Sequence, residues 1–450
     1  MKTRLLIILL SLSLIAEGQH VLDEYVRYGL ENNLSLHQKQ ADYRKSVEML
    51  REARGLFYPG VSLNARYSVA DGGRIIEFPV GDMLNPVYST LNKLTASGAF
   101  PMIENMQFRF LRPTEHETHL RLFQPLLNTD IYFNARIRKE MVLFQDEDVN
   151  QYRRELVTEI KKAYYNASAA DRILKMLTET RKLLVENIRV NKKLIENDKV
   201  TVDYLYRSEA ELGKFDQELQ NAGKNRTVAC AYFNFLINKP LSDTLILTEP
   251  DTFPSLSALT SNYTQSALTN REELKKLEAF KNASDLRIKM EQSGKLPELF
   301  VAVDYGFQGT RYQFNRESDY VLASAVLSWN LFSGFQNRSK IRQVEADNQI
   351  IKSKLEEARQ QIGLQVISSL NELYAAERGI SAAESRLRNS REAFRLVSRK
   401  FEEGQANLLE YIDARVSLTQ AEENLIVSRF SYLSCYAEFE KVTAINEEYR

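Results

Sequence analysis

The chain offers few groups able to do covalent chemistry. It has four histidines, and two of them fall close together in His116-Glu117-Thr118-His119. A zinc-protease pair must share one face of a helix with a glutamate beside it, whereas this stretch reads as strand or loop. No metal site is therefore expected, nor any other cofactor. Neither a nucleophile elbow nor a glycine-rich phosphate loop occurs, so the sequence points away from an enzyme. Cys230 and Cys435 each lie in an aromatic-rich helical run. They read as small packing residues, and a bridge between them requires neighbouring, correctly aimed positions that sequence does not establish. Glu410 and Asp413 stand at i,i+3 spacing, which sets both on one helix face. In a lone chain that is a solvated face. Brought together in several copies, such carboxylates raise one another's pKa and attract cations.

What positions these residues is a chain made for export. Lys2 and Arg4, the apolar run Leu5 to Ala16 and the small residues around Ala16-Glu17-Gly18 read as a signal peptide over 1–18. No later segment reads as a transmembrane helix, so the mature protein is either soluble outside the cytoplasm or held in a membrane by strands. Lys+Arg and Asp+Glu both number 60. The basic footprint of a nucleic-acid binder is absent from such a balance.

The sequence is written twice. Tyr25 to Asn32 resembles Tyr263 to Asn270 at an offset of 238, which also aligns Pro59 with Pro297 and Tyr67 with Tyr305. Later the offset is 205: Pro125 falls on Asn330 and Cys230 on Cys435, while Asp203 pairs with Glu410 at 207. The first copy spans 19–238 and carries an insertion, rich in Gly and Pro, within a β-hairpin loop at about 68–117. A linker over 239–260 leads to the second copy, 261–442, with its hairpin at about 297–330 and a short tail over 443–450. Asp71 to Glu115 reads as a surface loop or as a lid over an outer mouth.

No proline occurs between Leu126 and Lys239 or after Pro297, and both stretches are rich in good helix formers. In the second copy a seam with steps of three and four runs from Ile341 through Val344, Asn348, Ile351, Leu355, Ala358, Ile362, Gln365 and Ser369. It slips phase once before Leu373 and continues to Phe394 and Phe401. Each copy thus reads as a long helix, a tight turn and a shorter return helix, with the turns near Asn197 and at Gly404. Ahead of each rod the period is two: Val61, Leu63, Ala65, Tyr67 and Val69 alternate with polar residues, as do Leu299, Val301, Val303, Tyr305 and Phe307. Four strands cannot close a barrel, and lipid does not tolerate an open edge. Strands facing a membrane must be pooled by several chains, and three chains give twelve.

In this order, and twice over, these features resemble the TolC-like outer-membrane factor (outer-membrane efflux protein) family. They include the two Leu-x-Asn helix starts, the strand-opening Pro59 and Pro297, and the junctions Gln124-Pro125-Leu126-Leu127-Asn128 and Trp329-Asn330-Leu331-Phe332-Ser333-Gly334. They end with the tip segments Val200 to Asp203 and Gly404 to Ala414. The resemblance covers essentially the whole mature chain. It implies a mostly α fold with a small β part, duplicated and homotrimeric. The assembly would be a twelve-stranded outer-membrane barrel, embedded in outer-membrane lipid, continued by a periplasmic α-helical barrel in a Gram-negative cell. It implies partners, a periplasmic adaptor and an inner-membrane transporter, and a role in efflux or type I secretion. It places Glu410 and Asp413 at the channel constriction, and Asn197, Asp203, Phe401 and Gly404 at the tips and their inter-helix contacts. The family's closed state uses a Tyr three residues before the tip glycine and an Arg two after it; here those positions are Phe401 and Ala406. The rival reading is a soluble periplasmic coiled-coil scaffold or adaptor.

Overall fold

A computed structural model describes residues 17–248, 254 and 262–445, with side chains from residue 21 onward. The apolar run of the signal peptide, most of the linker after Thr248 and the last five residues lie outside the described residues. The chain divides into a helical unit (Met1–Glu48, Arg138–Asp285, Glu345–Arg450) and a second unit (Met49–Ile137, Leu286–Val344) that holds the described strands.

In chain order the first copy gives α1 (Glu17–Asn32), α2 (Leu34–Gly55), β1 (Gly60–Val69), β2 (Ile75–Phe78), α3 (Val80–Thr95), β3 (Met106–Arg109), β4 (Thr114–Leu127), α4 (Thr129–Glu196) and α5 (Asp203–Leu236). The second gives α6 (Tyr263–Asn270), α7 (Glu272–Ser293), β5 (Glu298–Gly309), β6 (Asp319–Ser328), α8 (Gln336–Glu402) and α9 (Leu408–Thr443). The proline-free stretches are the rods: α4 has 68 residues and α8 has 67, each about 100 Å long at 1.5 Å per residue.

The helical unit packs each copy around the same aromatic contact. Tyr25 meets Phe233 edge-on at 5.2 Å and 81°, and Tyr263 meets Phe439 at 5.1 Å and 75°. Close approach is needed at the position shared by Gly29 and Ala267. A Cβ on Gly29 would lie 2.5 Å from Ile160, whereas Ala267 is fully buried. The break between the first two helices of each copy is capped differently. Asn33 Oδ1 accepts from the Leu36 amide at 2.8 Å and its Nδ2 donates to the Leu236 carbonyl at 2.8 Å. At the matching position the Arg271 guanidinium donates to Gln365 at 2.5 Å and to Glu273. That contact changes the α8 seam: Gln365 is only half-buried and the buried seam residue is Val366.

In the second unit the sheet order is β1-β4-β5-β6, antiparallel throughout. Its register gathers the alternating apolar residues onto one face, with Leu63, Leu120 and Tyr305 in line and Leu122, Val303 and Ala323 beside them. On that face Val61, Leu63, Tyr67, Val69, Leu120, Leu122, Tyr305, Val321 and Leu327 are exposed. The opposite face carries the charged side chains, beside exposed Phe123, Leu322 and Val326. Arg121 clasps Asp304 through two hydrogen bonds of 2.7 Å. Glu117 accepts from Arg66 at 3.3 Å and from the Tyr320 hydroxyl at 3.0 Å.

The inserted stretch is more than the surface loop its Gly and Pro content suggests. The β1–β4 ladder runs on to Ala70 and Pro113, then three residues, 71–73, stand opposite two, 111 and 112. Gly72 and Gly73 take positive φ at this bulge, and β2 and β3 resume the pairing beyond it. Helix α3 caps this extension. Asn85 and Asn92 each make a two-way bridge, to the backbone of Ile103 and Phe100 respectively. These bonds hold segment 100–103 along the helix in place of a floppy loop.

Candidate functional site

The two hairpin tips are built by the same backbone device. At the end of α4 the Asp198 amide donates to the Ile195 carbonyl and the Lys199 amide to Leu194, each at 2.9 Å. At the end of α8 the Gly404 amide donates to Phe401 at 3.1 Å and the Gln405 amide to Lys400 at 2.7 Å. Both are Schellman caps, with the left-handed residue at Asp198 (φ 56°) and Gly404 (φ 74°). Asn197, expected from its tolerance of that conformation, is not the left-handed residue. It folds its amide back onto the Lys193 carbonyl at 2.7 Å and leaves the turn to its neighbour.

Glu410 is the third residue of α9 and Asp413 the sixth, both exposed. Asn407 caps the helix: its Oδ1 accepts from the Glu410 amide at 3.0 Å, and its Nδ2 donates to Glu410 Oε1 at 2.9 Å. The Glu410 carboxylate is therefore oriented by the side chain of the N-cap residue. Asp203 opens α5, where it accepts from the Thr201 hydroxyl and lies 3.7 Å from Arg207. Its partners are on its own helix and the turn before it. The structure thus brings Asn407 to Glu410, while Asn197 and Asp203 bond within their own hairpin.

Phe401 packs among rings. It stacks on Tyr411 at 4.9 Å and lies parallel to Tyr204 at 6.5 Å. Arg415, which sequence reasoning missed, stands close by with its guanidinium 5.1 Å above the Phe394 ring. Its buried Nε has no hydrogen-bond partner. Burial pushes its pKa down, partly offset by Tyr411 and Glu422. It borders a cavity of about 170 Å³ shared with Asn187, Ser208, Phe215 and Glu423. The signal for this group was available as Phe394 and Phe401 one heptad apart on the seam, but nothing local marks an arginine for burial.

No group of metal ligands occurs among the described residues. His116 and His119 lie on opposite faces of β4, paired with Tyr67 and Asn64, so they cannot share an ion. His116 is fully buried beneath the Tyr312 ring at 4.5 Å. Cys230 and Cys435 are free thiols, each with its pKa raised chiefly by burial.

The chain is a duplicated pair of proline-free helical hairpins that carries a four-stranded sheet. Residues 263–443 match the family described as outer membrane efflux protein. Outer membrane protein TolC of Salmonella enteritidis is 20% identical over 461 residues, covering 96% of this chain and 84% of that one. Among solved structures, the outer-membrane channel OprN is similar with a TM-score of 0.77 at 14% identity, over 95% of this chain and 90% of that chain. The outer membrane protein VceC of Vibrio cholerae is similar with a TM-score of 0.75 at 13% identity, over 95% and 97%. The resemblance read from the sequence is borne out. The family pattern is matched by the second copy, and the fold of these channels is shared across nearly the whole length.

Proposed function

We propose that three copies of this chain form an outer-membrane channel, the exit duct of a tripartite efflux or type I secretion system. Each copy contributes four strands to a twelve-stranded barrel, and the long helices continue the tunnel into the periplasm. A periplasmic adaptor and an inner-membrane transporter are its partners. The observation that carries this reading is the sheet. Its order leaves β1 and β6 as unpaired edges, its exposed face is apolar, and its other face holds Arg66, Glu117, Arg121 and Asp304. Lipid demands that edge amides and carbonyls be paired, and an even barrel with an apolar outside and a polar inside satisfies both faces. Glu410 and Asp413 are the proposed constriction, with three copies of each carboxylate converging under threefold symmetry. Asn197, Asp203, Phe401 and Gly404 are the proposed tip residues.

A soluble scaffold or adaptor is not favoured, because it leaves an exposed apolar sheet face with nothing to cover it. Cell fractionation separates the two. The channel reading expects an outer-membrane protein that migrates as a heat-resistant trimer in unheated gels. A soluble or inner-membrane-associated monomer would contradict it.

A further inference from the structure

The insertion keeps two apolar surfaces that its own chain leaves open. On α3, Met83, Val87 and Leu94 follow one another at spacings of four and seven and line one stripe. All three are exposed, Met83 by 71% and Leu94 by 79%. The helix already packs by a different face, where Asn85, Tyr88 and Asn92 are half-buried against segment 100–103. The second surface is on the β2–β3 ribbon. Phe78 pairs with Met106 and Ile76 with Phe108, and the Phe78 and Phe108 rings meet edge-on at 6.0 Å. Phe78, Met106 and Phe108 are all exposed. Charge is scarce around both surfaces. Of the 33 residues from Glu77 to Arg109 five are charged, about 15%, against 27% in the whole chain. Exposed patches that are poor in charge and rich in Phe and Met mark contacts between proteins.

We infer that the insertion is a clasp between copies of this chain. The stripe of Met83, Val87 and Leu94 in one copy rests on the face of Phe78, Met106 and Phe108 in the next, beyond the barrel rim. The inference rests on reading the chain as a duct and adds to it a second interface, made by side chains outside the barrel. Lipid does not reach these surfaces. The ten residues of β1, tilted about 40°, already rise about 25 Å, the height of an outer-membrane apolar band. The insertion follows the bulge at Gly72 and Gly73 and so stands above that band. It also continues the seam between copies, because β2 runs on from β1, the edge strand that has to meet β6 of the next chain. Four strands of that tilt take about 25 Å of rim. With 16 residues α3 is about 24 Å long, as long as one chain's share of the rim. A threefold ring joins unlike surfaces head to tail, and the insertion supplies two.

The test uses single cysteines in the full-length chain, with Cys230 and Cys435 replaced by serine. Chains carrying Val87→Cys are co-expressed with differently tagged chains carrying Phe108→Cys, so a short bis-maleimide that joins the two tags has joined different chains. That mixed dimer is expected in isolated outer membranes. Its absence, with Met83→Cys and Leu94→Cys tried in place of Val87→Cys, would overturn the clasp. A water-soluble maleimide gives a second reading on the detergent-purified trimer. Val87→Cys should escape it until heat dissociates the trimer, whereas Ser89→Cys, exposed on another side of α3, should react throughout. Labelling of Val87→Cys in the purified trimer would overturn the clasp; protection found only in lipid vesicles or only in whole cells would give the stripe to lipid or to another protein. Leu94→Glu, which sets a charge in the stripe, should lower the temperature at which the trimer dissociates, and an unchanged temperature counts against the clasp. A heat-resistant trimer whose stripe is labelled and unbridged refutes the clasp alone. A wild type that is monomeric or soluble refutes the duct itself.

Discussion

Glu410 and Asp413 are separated in role by one contact. The Asn407 amide holds Glu410, so its carboxylate is fixed in direction before any second copy arrives, while Asp413 projects one turn further along the same helix. In a threefold assembly both become rings of acid able to bind a multivalent cation. Replacing both by alanine should abolish block by multivalent cations and reduce cation selectivity in bilayers; unchanged block and selectivity would remove these residues from the constriction. The acid pair was legible in the sequence because i,i+3 spacing is local. Arg415 was not, since its burial depends on Phe394, 21 residues earlier, and on the neighbouring α4. The neighbour of Phe401 across the tip, Tyr204, lies in the other copy and is related to it only by folding.

At the scale of elements, the tips show both what local chemistry predicts and where position overrides it. Gly404 takes the left-handed place that only glycine occupies without a Cβ penalty. The first copy puts Asp198 there, one residue beyond the Asn that local preference selects, because the Schellman bonds fix which residue must turn. Asp198→Gly should therefore stabilise the α4–α5 hairpin and Gly404→Ala should destabilise the α8–α9 hairpin, each by about 1 kcal/mol. Thermal melting by circular dichroism checks both signs, and a stabilising Gly404→Ala would contradict the cap assignment. The sheet faces were legible from period two alone, since the register follows once the strands pair. The insertion was not. Its composition is that of a loop, and the bonds that organise it join Asn85 and Asn92 to Ile103 and Phe100, contacts that no periodicity encodes. The α8 seam shifted to Val366 for a similar reason, because a distant Arg271 claims Gln365.

For the whole molecule, partly buried ion pairs tie the helical unit together and set its response to acid. Asp148 joins α2 to α7 by accepting from Lys39 and Lys276, each at 2.7 Å. Burial alone would raise its pKa; the two lysine hydrogen bonds outweigh that and hold the carboxyl below its usual value. Asp171 is lowered in the same way, burial being outweighed by Lys175 and Arg226. A carboxyl with a depressed folded pKa contributes its full stability above the unfolded value, about 4, and loses it as pH falls through the folded value. The melting temperature should accordingly be flat from neutral pH down to about 5 and drop below about 4. A melting temperature that holds steady in strong acid would mean these pairs do not stabilise the folded state.

Closure of the proposed barrel requires that β1 of one chain pair with β6 of another. Single cysteines placed along β1, each combined with a single cysteine along β6 in a chain whose Cys230 and Cys435 are replaced by serine, test it by oxidation in isolated outer membranes. At the correct register, covalent species of two and three chains and nothing larger are expected. Absence of any crosslink at every register, or a ladder continuing past three, would contradict it.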